Sequence, residues 1–226
     1  MPAIRAAVFD AYGTLLDVHT AMGRHAARLG QDWQRLSAEW RAKQLEYTWV
    51  RSLAGSAHHC DFWRLTQAAL TSVAERHGIG DQVLLDEVLA AYRQLSAYPE
   101  VPGMLAALRD RAVPRAILSN GEPNMLNDAV HAAGIGKLLD DVLSVEAVGV
   151  FKPDQRVYRL ATERFCLQPD AIAFFSSNSW DAFGALAFGF RVFWVNRSGQ
   201  PDEYGLRGHV TELADLAGVP RAIDRA

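Results

Sequence analysis

The sequence predicts an α/β fold: a doubly wound parallel sheet with an all-helical insertion after its first strand. Three observations carry that expectation. Through the second half of the chain, apolar runs of strand length alternate with segments of helix length, the pattern of a parallel sheet covered by helices on both faces. A first apolar run, Ile4-Arg5-Ala6-Ala7-Val8-Phe9, stands apart near the start and has to join the same sheet. Between the two, residues 17–96 are rich in Trp, Arg and Ala at helical spacing, with no convincing strand.

A buried strand is expected first, over residues 4–9. In the insertion, Leu36, Trp40, Tyr47, Val50 and Leu53 recur as one face of a long helix, and further helical stretches cover residues 62–76 and 82–95. Tyr98-Pro99 and Val101-Pro102-Gly103 then punctuate the chain. Beyond them, strands are expected at 115–118, 142–145, 171–175 and 192–195, and helices at 103–111, 124–133, 155–166, 180–189 and 211–217. The expected organisation is a core of residues 1–16 and 97–226 and a helical cap of residues 17–96. A chain of 226 residues has room for both.

A formal charge of −3 gives no reason to expect nucleic acid or an anionic membrane as partner. Two cysteines, Cys60 and Cys166, are too few for a disulfide framework and match no metal spacing. With no secretory leader pattern and no 18-residue apolar run, a cytoplasmic protein is expected.

The carboxyl ends of parallel strands share one edge, where open α/β sheets bind ligands. The residues just past successive strands place Asp10 and Thr14, then Ser119-Asn120-Gly121, then Lys152, then Ser176-Ser177-Asn178-Ser179-Trp180-Asp181 on that rim. Each group has an ordinary alternative. Asp10 could cap the turn Asp-x-x-Gly, Ser-Asn-Gly is a turn composition, and Asp181 could sit in the favourable first turn of a helix. Their coincidence at successive strand ends favours an active site, with Asp10 able to act as a covalent nucleophile. Only three lysines (Lys43, Lys137, Lys152) occur among 23 basic residues, so an ammonium at 152 is an unusual choice, suited to a point charge in a tight site. The seven histidines (His19, His25, His58, His59, His77, His131 and His209) show no nucleophile partner.

These rim motifs together resemble the haloacid dehalogenase superfamily from Phe9 to about Val195. Most members of that superfamily are magnesium-dependent phosphatases with Asp-x-Asp in the first loop and Gly-Asp-Ser before the last helix. Here Tyr12 and Ser177 replace the second and third of those acids, and a hard cation wants carboxylate oxygens. The departures match the metal-free branch, the L-2-haloacid dehalogenases. That branch is resembled by Phe9-Asp10-Ala11-Tyr12-Gly13-Thr14-Leu15, by Trp40-Arg41-Ala42-Lys43-Gln44-Leu45-Glu46-Tyr47-Thr48-Trp49, by Leu118-Ser119-Asn120-Gly121, by Phe151-Lys152-Pro153-Asp154 with Tyr158, and by Ser176-Ser177-Asn178-Ser179-Trp180-Asp181.

The resemblance implies hydrolysis of short L-2-haloacids to D-2-hydroxyacids through an ester on Asp10, with no cofactor and no metal. It implies Thr14 as the holder of the Asp10 carboxylate and Lys152 as its charge partner. Asp181, held by Lys152, Ser176 and Asn178, would activate water, with Tyr158 behind it. Arg41, Asn120 and Trp180 would cradle the halide and Ser119 the substrate carboxylate, with Tyr12, Leu45 and Phe62 around the 2-alkyl group. It further implies a homodimer. Two rival readings remain at this level: a phosphatase of small phosphate esters, and a catalytically silent binding module. Loss of both metal-site acids speaks against the first, and retention of Asp10 and Lys152 against the second.

Overall fold

The computed structural model describes residues 3–225, so residues 1–2 and 226 of the expected core lie outside it. β1 (Ala6–Phe9) is buried along its whole length, as a strand with parallel neighbours on both sides must be. The chain leaves the sheet through β2 (Leu16–Asp17) and returns through β3 (Ser96–Ala97), two short strands paired antiparallel. This pair is a correction to the expectation of helix alone beyond residue 16. It clamps the two connections together, and Tyr98 N adds a bond to Leu15 O at 3.1 Å.

Between them the chain is helical: α1 (Thr20–Gly23), α2 (Ala26–Leu29), α3 (Trp33–Ala54), α4 (Phe62–Arg76) and α5 (Gln82–Tyr92). Asp61 and Asp81 cap α4 and α5 by accepting from Arg64 N and Leu84 N, which satisfies amides that a helix start leaves unpaired. The buried face of α3 differs from the expected one. It runs through Leu36, Ser37, Trp40, Gln44, Leu45 and Thr48, while Val50 and Leu53 are 58% and 89% exposed. Counting apolar residues misplaced the stripe because Gln44 and Thr48 are buried polar groups with hydrogen-bond partners, which makes their burial tolerable.

After β3 come α6 (Val101–Asp110), β4 (Arg115–Ser119), α7 (Pro123–Ala132), β5 (Asp141–Ser144), α8 (Gln155–Phe165), β6 (Ile172–Ser176), α9 (Ser179–Phe188), β7 (Arg191–Val195), β8 (Thr211–Leu213) and α10 (Val219–Arg225). The expected helix over 211–217 is therefore a strand followed by turns. Its backbone pairs parallel with β7, Thr211 opposite Phe193 and Leu213 opposite Val195. The open edge of β7 supplied hydrogen-bond partners that outweighed the local helical spacing, and a short strand bearing Glu212 makes a safe new edge.

The main sheet is six-stranded and parallel in the order β5-β4-β1-β6-β7-β8. The chain builds outward from β1 through β4 to β5, then crosses back to β6 on the other side. That reversal makes the carboxyl end of β1 a topological switch point, where α/β sheets open a crevice. The hydrophobic core continues through it, with Phe9, Phe175 and Phe193 stacked across β1, β6 and β7 at 4.7 Å between successive ring centroids.

Candidate active site

Asp10 directly follows β1, its N–H donating to Phe175 O at 2.9 Å. The turn beyond it passes through Gly13 at φ +90°, a conformation that a Cβ disfavours. This brings Thr14 back over Asp10. Thr14 Oγ1 donates to Asp10 Oδ2 at 3.1 Å and itself accepts from Ser177 N at 2.8 Å.

Lys152 reaches the same carboxylate from the loop between β5 and α8. Its side chain is wholly buried, and Nζ donates to Asp10 Oδ1 at 3.2 Å and to Asp181 Oδ2 at 2.9 Å. Asp181 lies in the first turn of α9, also wholly buried. Ser176 Oγ donates to its Oδ2 at 2.9 Å and the Tyr158 hydroxyl to its Oδ1 at 2.8 Å. The approach of α8 to α9 depends on Gly184, where a Cβ would overlap the Tyr158 hydroxyl and come within 2.6 Å of Pro153 Cβ.

One buried ammonium thus serves two carboxylates. Buried charge is costly unless paired and hydrogen-bonded, and the arrangement pairs both acids without neutralising both. Burial is the main reason the Asp181 carboxyl is raised above the ordinary aspartate range; Lys152 works against this rise and the Asp10 charge adds to it. Burial likewise pushes the Tyr158 hydroxyl well up, helped by the charge of Asp181, so it stays a proton donor.

Asn178 was expected to hold Asp181, and its side chain does not. Its amide nitrogen instead donates to Asp10 Oδ2 at 2.8 Å and to Tyr12 O at 3.2 Å, while only its backbone carbonyl accepts from Asp181 N, at 3.1 Å. The reason is positional: Asn178 precedes α9 and points back across β6 to β1, whereas Asp181 is one helical turn further on. Asn120 Oδ1 accepts from Lys152 N at 3.0 Å, which leaves its amide hydrogens free, and Ser119 Oγ accepts from Gly121 N at 3.1 Å. The oxygens of Asp10 therefore face an ammonium, a hydroxyl and an amide, all donors, and Tyr12 O faces donors too. A cation would need acceptors there, and the donor set does not fit one.

The insertion supplies the opposite wall. Arg41 on α3 reaches over the first loop, with Nη2 3.4 Å from Tyr12 O. Tyr12 packs near Phe62 at 5.9 Å between centroids, and Phe62 near Phe151 at 6.3 Å. Leu45 is buried one turn after Arg41 on α3, and Trp180 sets its ring edge-on to Trp49 of α3 at 5.6 Å. A cleft of about 230 Å³ opens at this rim, with Gly13, Arg41, Ser177, Asn178 and Arg197 among its walls.

Sequence reasoning passed over two parts of the surroundings. Arg197, after β7, donates to Thr14 O at 2.9 Å, pairs with Glu100 at 2.6 Å and stacks on Tyr98 at 3.8 Å, tying the first loop to the exit of the insertion. Buried Gln44 and Tyr92 sit behind Arg41. Arg197 and Tyr92 fall in no motif, a basic residue just past a strand end being the one signal for Arg197; Gln44 lies within the Trp40–Trp49 stretch, where nothing gave it a role of its own. His25, His59 and His77 pair with Glu87, Glu146 and Glu39, while His19 bonds Ser37 at the edge of the cleft and has no partner among the groups around Asp10.

The family model for haloacid dehalogenase-like hydrolases matches residues 4–189. The chain belongs to the haloacid dehalogenase-like hydrolases. It is 43% identical to (S)-2-haloacid dehalogenase 1 of Pseudomonas sp. (strain CBS-3), over 100% of this chain and 99% of that one. Among solved structures it superposes on a dehalogenase with an intermediate complex at a TM-score of 0.94 and 39% identity, covering 98% of each chain. It also superposes on L-2-haloacid dehalogenase from Xanthobacter autotrophicus with chloropropionic acid covalently bound, at a TM-score of 0.84 and 33% identity, again over 98% of each chain. Within the haloacid dehalogenase-like hydrolases, the chain is a member of the (S)-2-haloacid dehalogenase branch, an enzyme class acting on carbon–halide bonds.

Proposed function

We propose that this hydrolase converts short (S)-2-haloacids to D-2-hydroxyacids without a metal, through an ester on Asp10. The observation that carries the reading is the chain Asp10–Lys152–Asp181, buried and donor-lined on both carboxylates. Oδ2 of Asp10 already accepts two hydrogen bonds and Oδ1 one, so Oδ1 keeps a lone pair for attack. It displaces halide in line from C2. The carbon–halogen electron pair leaves with the halide, and an ester bond forms to Asp10. Arg41 and the free amide hydrogens of Asn120 meet the growing negative charge, Ser119 and first-loop amides hold the substrate carboxylate, and Tyr12, Leu45 and Phe62 enclose the alkyl group, with Trp180 at the edge. Water then adds to the ester carbonyl carbon and gives a proton to Asp181, whose raised affinity for protons suits a general base. The bond from that carbon to the substrate oxygen breaks, Asp181 returns the proton to the departing D-2-hydroxyacid, and Asp10 loses the remaining proton to solvent as its carboxylate is restored. The residues of the insertion act here as a cap over the core.

Metal independence is supported by the donors that surround Asp10. The test pairs halide release from L-2-chloropropionate in EDTA with p-nitrophenyl phosphate hydrolysis in Mg²⁺. Halide release alone, with D-2-hydroxypropionate as the product, is expected. Phosphatase activity without halide release would overturn the reading, as would retained configuration at C2.

A further inference from the structure

One buried amide on the insertion side has no part in the reaction just described. Gln44 has no exposed surface, a position that is costly unless both ends of the amide are paired. Its Nε2 donates to Thr66 Oγ1 at 3.2 Å, and the Thr66 carbonyl is itself held by Trp40 Nε1 at 2.9 Å. Its Oε1 accepts from the Tyr92 hydroxyl at 3.2 Å and faces Arg41 Nη1 at 3.5 Å. A guanidinium has donors only, so the oxygen and not the NH₂ of Gln44 must face it.

Arg41 and Gln44 lie three apart on α3, on one face. Without a partner the arginine side chain would spread over many rotamers. Here its two nitrogens are confined between Gln44 Oε1 and Tyr12 O, the latter two residues past Asp10. The partner is also neutral. A carboxylate in its place would hold the guanidinium equally well and cancel the charge that an arriving or departing anion needs.

We propose that Gln44, oriented by Tyr92 and Thr66, is a positioning residue that aims Arg41 at the departing halide, a role that rests on the dehalogenase reading. A group that works through the leaving halide matters most when the halide leaves poorly, and it has no part in hydrolysis of the ester. The test monitors ester formation on Asp10 by rapid quench and mass spectrometry, with L-2-chloropropionate and L-2-bromopropionate, in wild type, Gln44→Met and Tyr92→Phe. Gln44→Met is expected to slow ester formation about tenfold from the chloride and about threefold from the bromide, with hydrolysis of the formed ester unchanged. Tyr92→Phe, which removes one hydroxyl, should move the same ratio in the same direction by less, and it alone decides if Gln44→Met does not fold. Equal losses with both halides, slowed ester hydrolysis, or wild-type rates in both variants would overturn the assignment. Absence of any ester in wild type would instead remove the dehalogenase reading beneath it.

Discussion

On the core wall of the cleft, Thr14, Lys152 and Asn178 hold Asp10 with hydrogen bonds of 2.8 to 3.2 Å, and Lys152, Ser176 and Tyr158 hold Asp181 within 2.8 to 2.9 Å. On the facing wall, Arg41 has contacts of 3.4 and 3.5 Å, and the apolar side chains on that side, Leu45 and Phe62, are buried. The two walls are built for different tasks. The core is a network in which each buried charge is matched by donors, so removing one member strands another. The insertion wall holds Arg41 more loosely, so changes there other than at Arg41 and its partner Gln44 should alter recognition before chemistry.

The largest effect should fall on the core. Asp10→Asn keeps the shape and removes the proposed nucleophile, and halide release is expected to drop at least about a thousandfold, with thermal unfolding near that of wild type. Halide release at even a few per cent of wild type would detach Asp10 from that role. Next is Asp181→Asn, expected to lower turnover about a hundredfold while the ester still forms. Mass spectrometry should then find an adduct on the peptide containing Asp10. If the first halide equivalent is equally slow, Asp181 belongs to displacement instead.

On the other wall, Leu45→Ala should raise KM for L-2-chloropropionate about tenfold with kcat little changed, since it trims the side chain proposed to meet the alkyl group and leaves Asp10, Lys152 and Asp181 in place. A fall in kcat comparable to that of Asp181→Asn would erase the distinction between the walls. The smallest effect belongs to Tyr158→Phe. In the proposed mechanism ionised Asp181 is the working form, so activity should rise with pH through a carboxyl pKa that burial has raised. The Tyr158 hydrogen bond opposes that rise. Its loss should therefore shift the acid limb of the pH–rate profile to higher pH, with a loss of a few-fold or less at the plateau, measured as kcat/KM against pH. Stability obeys the same linkage. A carboxyl whose folded pKa lies above its unfolded value stabilises the fold most at low pH, and that contribution is lost as pH rises through the raised value. An acid limb that moves down or stays put in Tyr158→Phe would show that another group sets it.

The sequence alone determined the rim. Parallel strands must point their carboxyl ends the same way, so residues following separate strands converge without any knowledge of packing. For that reason Asp10, Ser119, Asn120, Lys152, Ser176 and Asp181 could be placed together from the chain alone. Tertiary structure decided what that rule leaves open. It turned residues 211–213 into the β8 edge strand, because hydrogen bonds from β7 outweighed local spacing. It sent the Asn178 amide to Asp10 and not to Asp181. It also buried Gln44 and Thr48 while exposing Leu53, because polar groups with partners can enter a core and an apolar residue facing solvent cannot leave its helix. Strand ends are set by topology, which periodicity reveals; side-chain partners are set by distances across elements far apart in the chain, which it does not.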